Sequence, residues 1–215
     1  MEAKMEHDRH SNQAKRALAA FLLCAVLAAP AAAQNLAQDA TRSLINETVR
    51  AGHIDSSQHG WPGSKVKMGR AVALVDGSID EVQAIVSDYA SYRGFLPHCK
   101  TSKVLSQRGA SALMYLEIEV LNGASTLWME LKASAKKSES PTRRIEVKMR
   151  KGNVSAFDAV WELTPMGDAQ TLVTFQLMVD PDLPVPSGLL SDENQKSARR
   201  TIRAVRKELA RRRGR

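Results

Sequence analysis

The chain has 215 residues, 31 Lys and Arg against 23 Asp and Glu, and a formal net charge of +8, a basic balance that favours long-range attraction to anionic surfaces. The length suffices for one domain with a real core. Of its two cysteines only Cys99 lies beyond the first 33 residues, which excludes an intrachain disulfide in the remainder.

Lys4, Arg9, Lys15 and Arg16 precede an apolar run from Ala17 to Ala29, and Ala31-Ala32-Ala33 offers the small residues of a processing site. This pattern predicts a signal peptide over residues 1–33, cleavage after Ala33, and a periplasmic or secreted protein. The run is shorter than the roughly 20 residues a spanning helix needs. Leu23 before Cys24 departs from a lipoprotein signal, where a small residue stands.

Residues 34–63 read as an N-terminal helix and a connector. Leu36, Ala40, Leu44, Ile45 and Val49 approximate a helical stripe, Gly52 ends it, and a polar run reaches Gly60-Trp61-Pro62-Gly63. The main domain is expected over 64–215. It opens with a strand over Lys65–Val75, followed by Ser78 and Glu81 at capping-box spacing. The helix they start runs through Val82, Ile85 and Val86 to about Tyr89, and a shorter turn from Tyr92 to Leu96 is stopped by Pro97.

Strands follow over 101–106, 112–121, 125–135, 142–150, 157–163 and 171–179, with connections short enough to require antiparallel neighbours. Asn122-Gly123 marks a hairpin. Asp180-Pro181-Asp182-Leu183-Pro184-Val185-Pro186 leads into a last helix over Ser191–Arg213, striped by Ala198, Ile202, Val205 and Leu209 and charged on its other faces.

Alternation assigns Met114, Leu116, Ile118 and Val120 to one face, with Leu127, Met129, Leu131 and Ala133, then Ile145, Val147 and Met149, then Phe157, Ala159, Trp161 and Leu163, then Val173, Phe175, Leu177 and Val179. One helical stripe is narrower than this lining. The surplus predicts an apolar cavity between sheet and helix, lined by Met114, Leu116, Ile118, Leu127, Met129, Leu131, Val147, Met149, Phe157, Trp161, Phe175, Ile202 and Val205. The bland alternative is that Met114, Met129 and Met149 fill gaps in a closed core. Tyr89, Tyr92 and Phe95 are candidates for the cavity entrance, or for packing of the short helix. Arg199, Arg203, Arg206 and Arg211 are candidates for transient docking on an anionic membrane, against the alternative that they complement the helix's negative end.

Catalytic and metal residues are not assigned. Glu117 with Glu119 and Asp158 with Glu162 share the wet face with Lys and Arg and read as cross-strand salt pairs. Cys99 beside His98 lacks an acid or a second histidine, and His53, His59 and His98 lack ligand spacing.

The order strand, capped helix, strand run and long C-terminal helix resembles the helix-grip fold of START and Bet v 1-like proteins, the SRPBCC superfamily. Asp88-Tyr89-Ala90-Ser91-Tyr92-Arg93-Gly94-Phe95-Leu96-Pro97 and Val179 to Ser187 are similar to its coenzyme Q-binding and polyketide-cyclase-like branch. The resemblance spans roughly Val66 to Leu209. It implies an α+β helix-grip fold, a curved antiparallel sheet of six to seven strands wrapped around the long C-terminal helix. It also implies a lipid, quinone or polyketide-like ligand in a central cavity and no shared catalytic residue. A non-enzymatic carrier is therefore expected, with no cofactor other than a bound quinone or lipid. The alternatives are a cyclase or aromatase acting on a cavity-bound substrate, and a ribosome- or RNA-associated protein. Export argues against nucleic acid.

Overall fold

Period-two alternation becomes eight antiparallel strands in a single sheet, in the order β1-β2-β8-β7-β6-β5-β4-β3. The computed structural model describes residues 52–214 apart from 121, 122, 124, 137–139 and 182. The expected signal peptide and the helix ending at Val49 lie outside the described residues. In chain order the elements are β1 (Asp55–Trp61), β2 (Ser64–Val75), α1 (Ile79–Val86), a 3-10 turn (Tyr89–Ser91), α2 (Tyr92–Phe95), β3 (Cys99–Arg108), β4 (Ser111–Val120), β5 (Ser125–Lys136), β6 (Arg143–Gly152), β7 (Val154–Pro165), β8 (Thr171–Pro181) and α3 (Ser187–Arg213).

The strand count exceeds the expected six to seven because the polar connector is itself a strand. β1 pairs with β2 from Asp55↔Val72 to Trp61↔Ser64. It lies at the sheet edge, where packing does not impose alternation, so its sequence carries no apolar period. Gly63 closes that hairpin at φ 78°, a backbone state that glycine enters without steric cost.

The capping box forms as its spacing predicts. Ser78 N–H donates to Glu81 Oε2 at 2.8 Å and Glu81 N–H donates to Ser78 Oγ at 3.3 Å. α1 ends at Val86, earlier than expected, and buries Val82, Ile85 and Val86. The helix-bearing stretch between β2 and β3 connects the middle of one half of the sheet to the opposite edge, because β2 neighbours β8 whereas β3 lies beyond β4.

α3 packs on β2, β8, β1 and α1. It starts four residues before the expected Ser191, directly after Pro186. Ala198, Ile202 and Val205 are fully buried and Leu209 is 5% exposed. Burying each of the larger three contributes roughly 1.5–3 kcal/mol. The opposing face of β2 is made of Gly69, Ala71 and Ala73, residues small enough to let the helix backbone approach. At Gly69 the approach is complete: an added Cβ would stand 2.3 Å from the Asn194 carbonyl carbon and oxygen.

This approach coincides with the end of the β2–β8 ladder at Gly69↔Leu177. Further on, the strand backbones bond to α3 side chains. Lys67 N–H donates to Ser191 Oγ at 2.9 Å, and Asn194 Nδ2 donates to the carbonyls of Lys67 at 3.0 Å and Val179 at 3.1 Å. Asn194 Oδ1 accepts from Val179 N–H at 3.3 Å. Asn194 and Ser191 are polar, buried and satisfied, as burial of such groups demands.

The inward set holds in the middle of the sheet and loosens at strand ends, where Ile118, Val120, Met149 and Phe157 are half-buried. On β7 Asp158 and Val160 of the alternate face are buried, and β8 differs as well. Val173 and Phe175 are buried, whereas Leu177 and Val179 are half-buried and Met178 on the alternate face is fully buried. Met178 joins a satellite cluster with Val66 and Met68, against which Trp61, Ala156 and Leu190 pack.

Two glycines give opposite expectations. Gly69→Ala lowers the urea unfolding free energy by at least about 2 kcal/mol through overpacking. Gly60→Ala, where a Cβ meets nothing within 4 Å, changes it by no more than about 0.5 kcal/mol. Equal effects would mean that α3 does not rest on Gly69.

Candidate ligand-binding site

The expected lining residues come together in the core. Met114, Met129, Leu131, Ile202 and Val205 expose 2% or less, and Leu116, Leu127, Val147, Trp161 and Phe175 are also buried. Ile118, Met149 and Phe157 are half-buried. Leu131 has no accessible surface, so no water-sized void touches it. Trp161 and Phe175, on paired strands, meet with ring centroids 4.1 Å apart and planes tilted by 31°. In this conformation the side chains pack as a closed core.

Two clefts among the described residues lie near the expected elements. One, of about 400 Å³, sits beside the linker into α3, lined by Ser125, Leu127, Gly152, Val154, Ser155 and Leu183 among others. The other, of about 410 Å³, runs between the α2 segment (Gly94, Phe95, Pro97) and the C-terminal half of α3. Neither is the enclosed cavity that the apolar surplus predicts. Of the expected lining set, only Leu127 borders either cleft.

The three aromatic entrance candidates form a chain. Tyr89 and Tyr92 meet edge to face at 5.7 Å, and Tyr92 and Phe95 do so at 5.6 Å. Tyr89 and Tyr92 are buried, and the Tyr92 hydroxyl donates to the Val86 carbonyl at the end of α1. Burial pushes the Tyr92 hydroxyl well above its ordinary pKa. These two tyrosines brace the short helices; Phe95 alone of the three reaches a cleft.

The basic side chains of α3 divide into bonded and unbonded groups. Arg206, expected at a docking surface, is half-buried and donates to the carbonyls of Gly52 at 2.8 Å, His53 at 3.2 Å and Leu74 at 2.6 Å. It therefore ties α3 to the start of β1 and the end of β2. Arg212 bridges Glu208 at 2.7 Å and Asp88 at 2.6 Å. Arg213 bridges Glu81 at 2.7 Å, Arg211 bridges Glu208 at 2.5 Å, and Arg200 pairs with Glu193. Among the described residues Lys196, Arg199, Arg203 and Lys207 have no ion pair. Arg203 and Lys207 line the second cleft with Arg200, Arg211, Ala204 and Glu208. Arg203 and Arg211 are thus brought to Phe95, while Arg199 stays exposed elsewhere on the helix.

Glu208 is 3% exposed, and its bonds to Arg211 and then Arg212 hold its carboxyl near pKa 2, against burial that opposes them. Glu81 is likewise held at about 2 by Arg213 and by the Ser78 cap. The acidic pairs are structural, as their strand positions suggest, but Asp158 is buried at 4% exposure and not on a wet face. Lys148 pairs with Asp158 and Arg144 with Glu162, each across register partners. Glu119 is bridged by Lys100 at 3.7 Å, and Glu117 accepts from Thr101 Oγ1 and Tyr115 Oη. Cys99 Sγ donates to the Thr101 carbonyl at 3.5 Å, and burial pushes its thiol up to about 11, so it is protonated at neutral pH.

Comparison with known proteins places this geometry. Residues 75–206 match the family described as polyketide cyclase / dehydrase and lipid transport. An uncharacterized Pseudomonas aeruginosa protein is 26% identical over 136 residues, which cover 59% of this chain and 67% of that protein. The fold is shared with a STAR-related lipid transfer protein of Xanthomonas axonopodis, with a TM-score of 0.64 at 20% identity over 74% of this chain and 95% of that one. Human StAR-related lipid transfer protein 5 superposes with a TM-score of 0.65 at 12% identity, covering 84% of this chain and 97% of its own.

The depressed Glu208 carboxyl sets a pH dependence with a defined sign. Its stabilisation is complete above the usual value near 4.5 and is lost as pH falls toward 2. Glu208→Gln should therefore have a lower Tm than the parent at pH 7, with the gap closing between pH 4.5 and 2. A gap independent of pH would refute the ion-pair account. At pH 8 native Cys99 should react with iodoacetamide far more slowly than in the urea-unfolded chain.

Proposed function

Because the chain belongs to the polyketide cyclase / dehydrase and lipid transport family, we propose that it binds a hydrophobic small molecule and carries or chaperones it without transforming it. The ligand is a lipid, quinone or polyketide-like compound. The observation that carries this reading is the continuous apolar face of β4, β5 and β6, with Met114, Met129 and Met149 at its centre. Methionine exchanges one packing arrangement for another at little energetic cost, so the face closes on itself when empty and repacks around a guest. The apolar surface stays out of water in both states, and the guest gains roughly 25 cal/mol for each Å² it removes from water.

Transport is favoured over cyclisation by the state of the buried acids. Among the described residues both are committed to ion pairs that maintain the fold, Glu208 to Arg211 and Arg212 and Asp158 to Lys148. A cyclase needs an uncommitted acid or base beside its substrate. We also propose export, with the mature chain starting at Gln34, and transient contact with anionic membranes through the exposed Arg199, Arg203 and Arg211.

Native mass spectrometry of the protein purified from its own host, followed by solvent extraction, should detect an apolar adduct. Protein that is empty, and that takes up neither a ubiquinone nor a fluorescent fatty acid in titration, would remove the carrier reading. N-terminal sequencing of the exported form is expected to begin at Gln34; a start upstream of Ala31 would reject the proposed processing.

A further inference from the structure

We propose that the cleft between the α2 segment and the C-terminal half of α3 is a discrete binding site for a phosphate group. This deepens the carrier reading, on which it rests for the amphiphile's apolar part, by naming the polar end of the ligand.

Four cations, Arg200, Arg203, Lys207 and Arg211, line one wall at positions i, i+3, i+7 and i+11, a spacing that places them along one stripe of α3. The carboxylate in the cleft does not cancel them. Glu208 is bonded to both Arg211 and Arg212, the second of which stands outside the lining, so the acid is already neutralised by its own partners. Arg200 is held by Glu193. Arg203 and Lys207 are left, and among the described residues neither has an ion pair, although acidic side chains take up Arg211, Arg212 and Arg213 further along the same helix.

The opposite wall is Gly94, Phe95 and Pro97, with Ala204 on the helix side. An aromatic ring and a proline facing unpaired guanidinium and ammonium groups suit a molecule with a phosphate at one end and apolar substance beside it. The cleft, about 410 Å³, has the size of a small-ligand site. Gly94 borders the cleft, and an added Cβ there meets nothing within 4 Å, so a larger side chain fits at this position without a clash.

The test uses the full chain and three variants, with inorganic phosphate and one dispersed short-chain lipid, dihexanoyl phosphatidic acid, at constant ionic strength. Binding is read by calorimetry and by amide shifts at Gly94 and Ala204. Phosphate and phosphatidic acid should both bind the parent. Arg203→Gln/Lys207→Gln should lose at least about tenfold in affinity for each, the scale expected for removing two cations. Gly94→Leu keeps every charge and should lose binding to a similar extent by occupying the space. Lys132→Gln/Lys196→Gln removes two exposed cations outside the cleft and should stay within about twofold of the parent.

If phosphate binds but phosphatidic acid binds no more tightly, the site takes the free anion and its link to an amphiphile is overturned. Equal losses in the cleft and control double variants, or an unaffected Gly94→Leu, would replace a site by diffuse attraction and overturn the proposal. Uptake of a fluorescent fatty acid by the parent is measured separately. Its absence with phosphate binding intact defeats the carrier reading alone, and its presence without phosphate binding defeats the cleft alone.

Discussion

The fold depends on the contact between the backbone of α3 and the bare Cα of Gly69. A helix that rests on a strand with no side chain between them leaves no room for the neighbouring ladder to continue, and the β2–β8 pairing ends at that residue. The backbone groups at Lys67 and Val179, half-covered by the helix, would then lose their ladder partners. Ser191 and Asn194 supply the missing partners from the helix itself. One contact thus fixes both the height of α3 above the sheet and its position along β2. Its far end is in turn tied to both ends of α1, where Arg213 reaches Glu81 in the first turn and Arg212 reaches Asp88 just after the last.

That placement bears on the apolar surplus. α3 packs most closely over β1, β2 and β8, so the inward faces of β4, β5 and β6 draw on further cover. Those faces are closed nonetheless, with Met114, Met129, Leu131 and Ile145 at 2% exposure or less. α1 adds Val82, Ile85 and Val86 to the interior and packs against β7 and α3. α1 covers part of the surplus, as expected, and the remainder of the expected lining is largely buried by the protein's own side chains. What survives is a weaker requirement, that a guest must displace protein contacts of similar chemistry, and methionine-rich packing meets it.

Most of the fold was legible because its signals are local or periodic. Ser78 and Glu81 announce α1 through a spacing of three, and the inward residues of β4 to β7 announce their faces through a spacing of two. β1 was not legible, since an edge strand such as Asp55–Trp61 owes its conformation to its neighbour's free backbone groups and not to its own side chains. The close approach left a trace that apolar periodicity alone does not register. Ser191 and Asn194 continue the sequence of Ala198, Ile202, Val205 and Leu209 at steps of three and four, and Gly69, Ala71 and Ala73 form a matching run of small residues at steps of two. A polar residue on an otherwise apolar stripe facing a glycine signals a backbone that needs a partner. The roles of Arg206 and Asp88 were beyond reach for a different reason: each is defined by a contact spanning more than 120 residues of sequence.

The distribution of charge on α3 separates two explanations that its sequence leaves merged. Cations near a helix C-terminus complement the negative pole of the backbone dipole, but that effect decays within the last turn. It accounts for Arg211, Arg212 and Arg213, which in addition anchor the helix end through Glu208, Asp88 and Glu81. Arg203 and Lys207 stand further back, beyond the reach of the dipole and without acidic partners among the described residues. Arg206, between them in sequence, points to the other side and is held by three carbonyls. Two mutually repelling cations on one stripe are mildly destabilising when exposed together on a helix. Neither the dipole nor the ion-pair network of the helix end offsets that repulsion, so it has to be relieved from outside, by solvent and counterions when the cleft is empty or by an anion when it is filled.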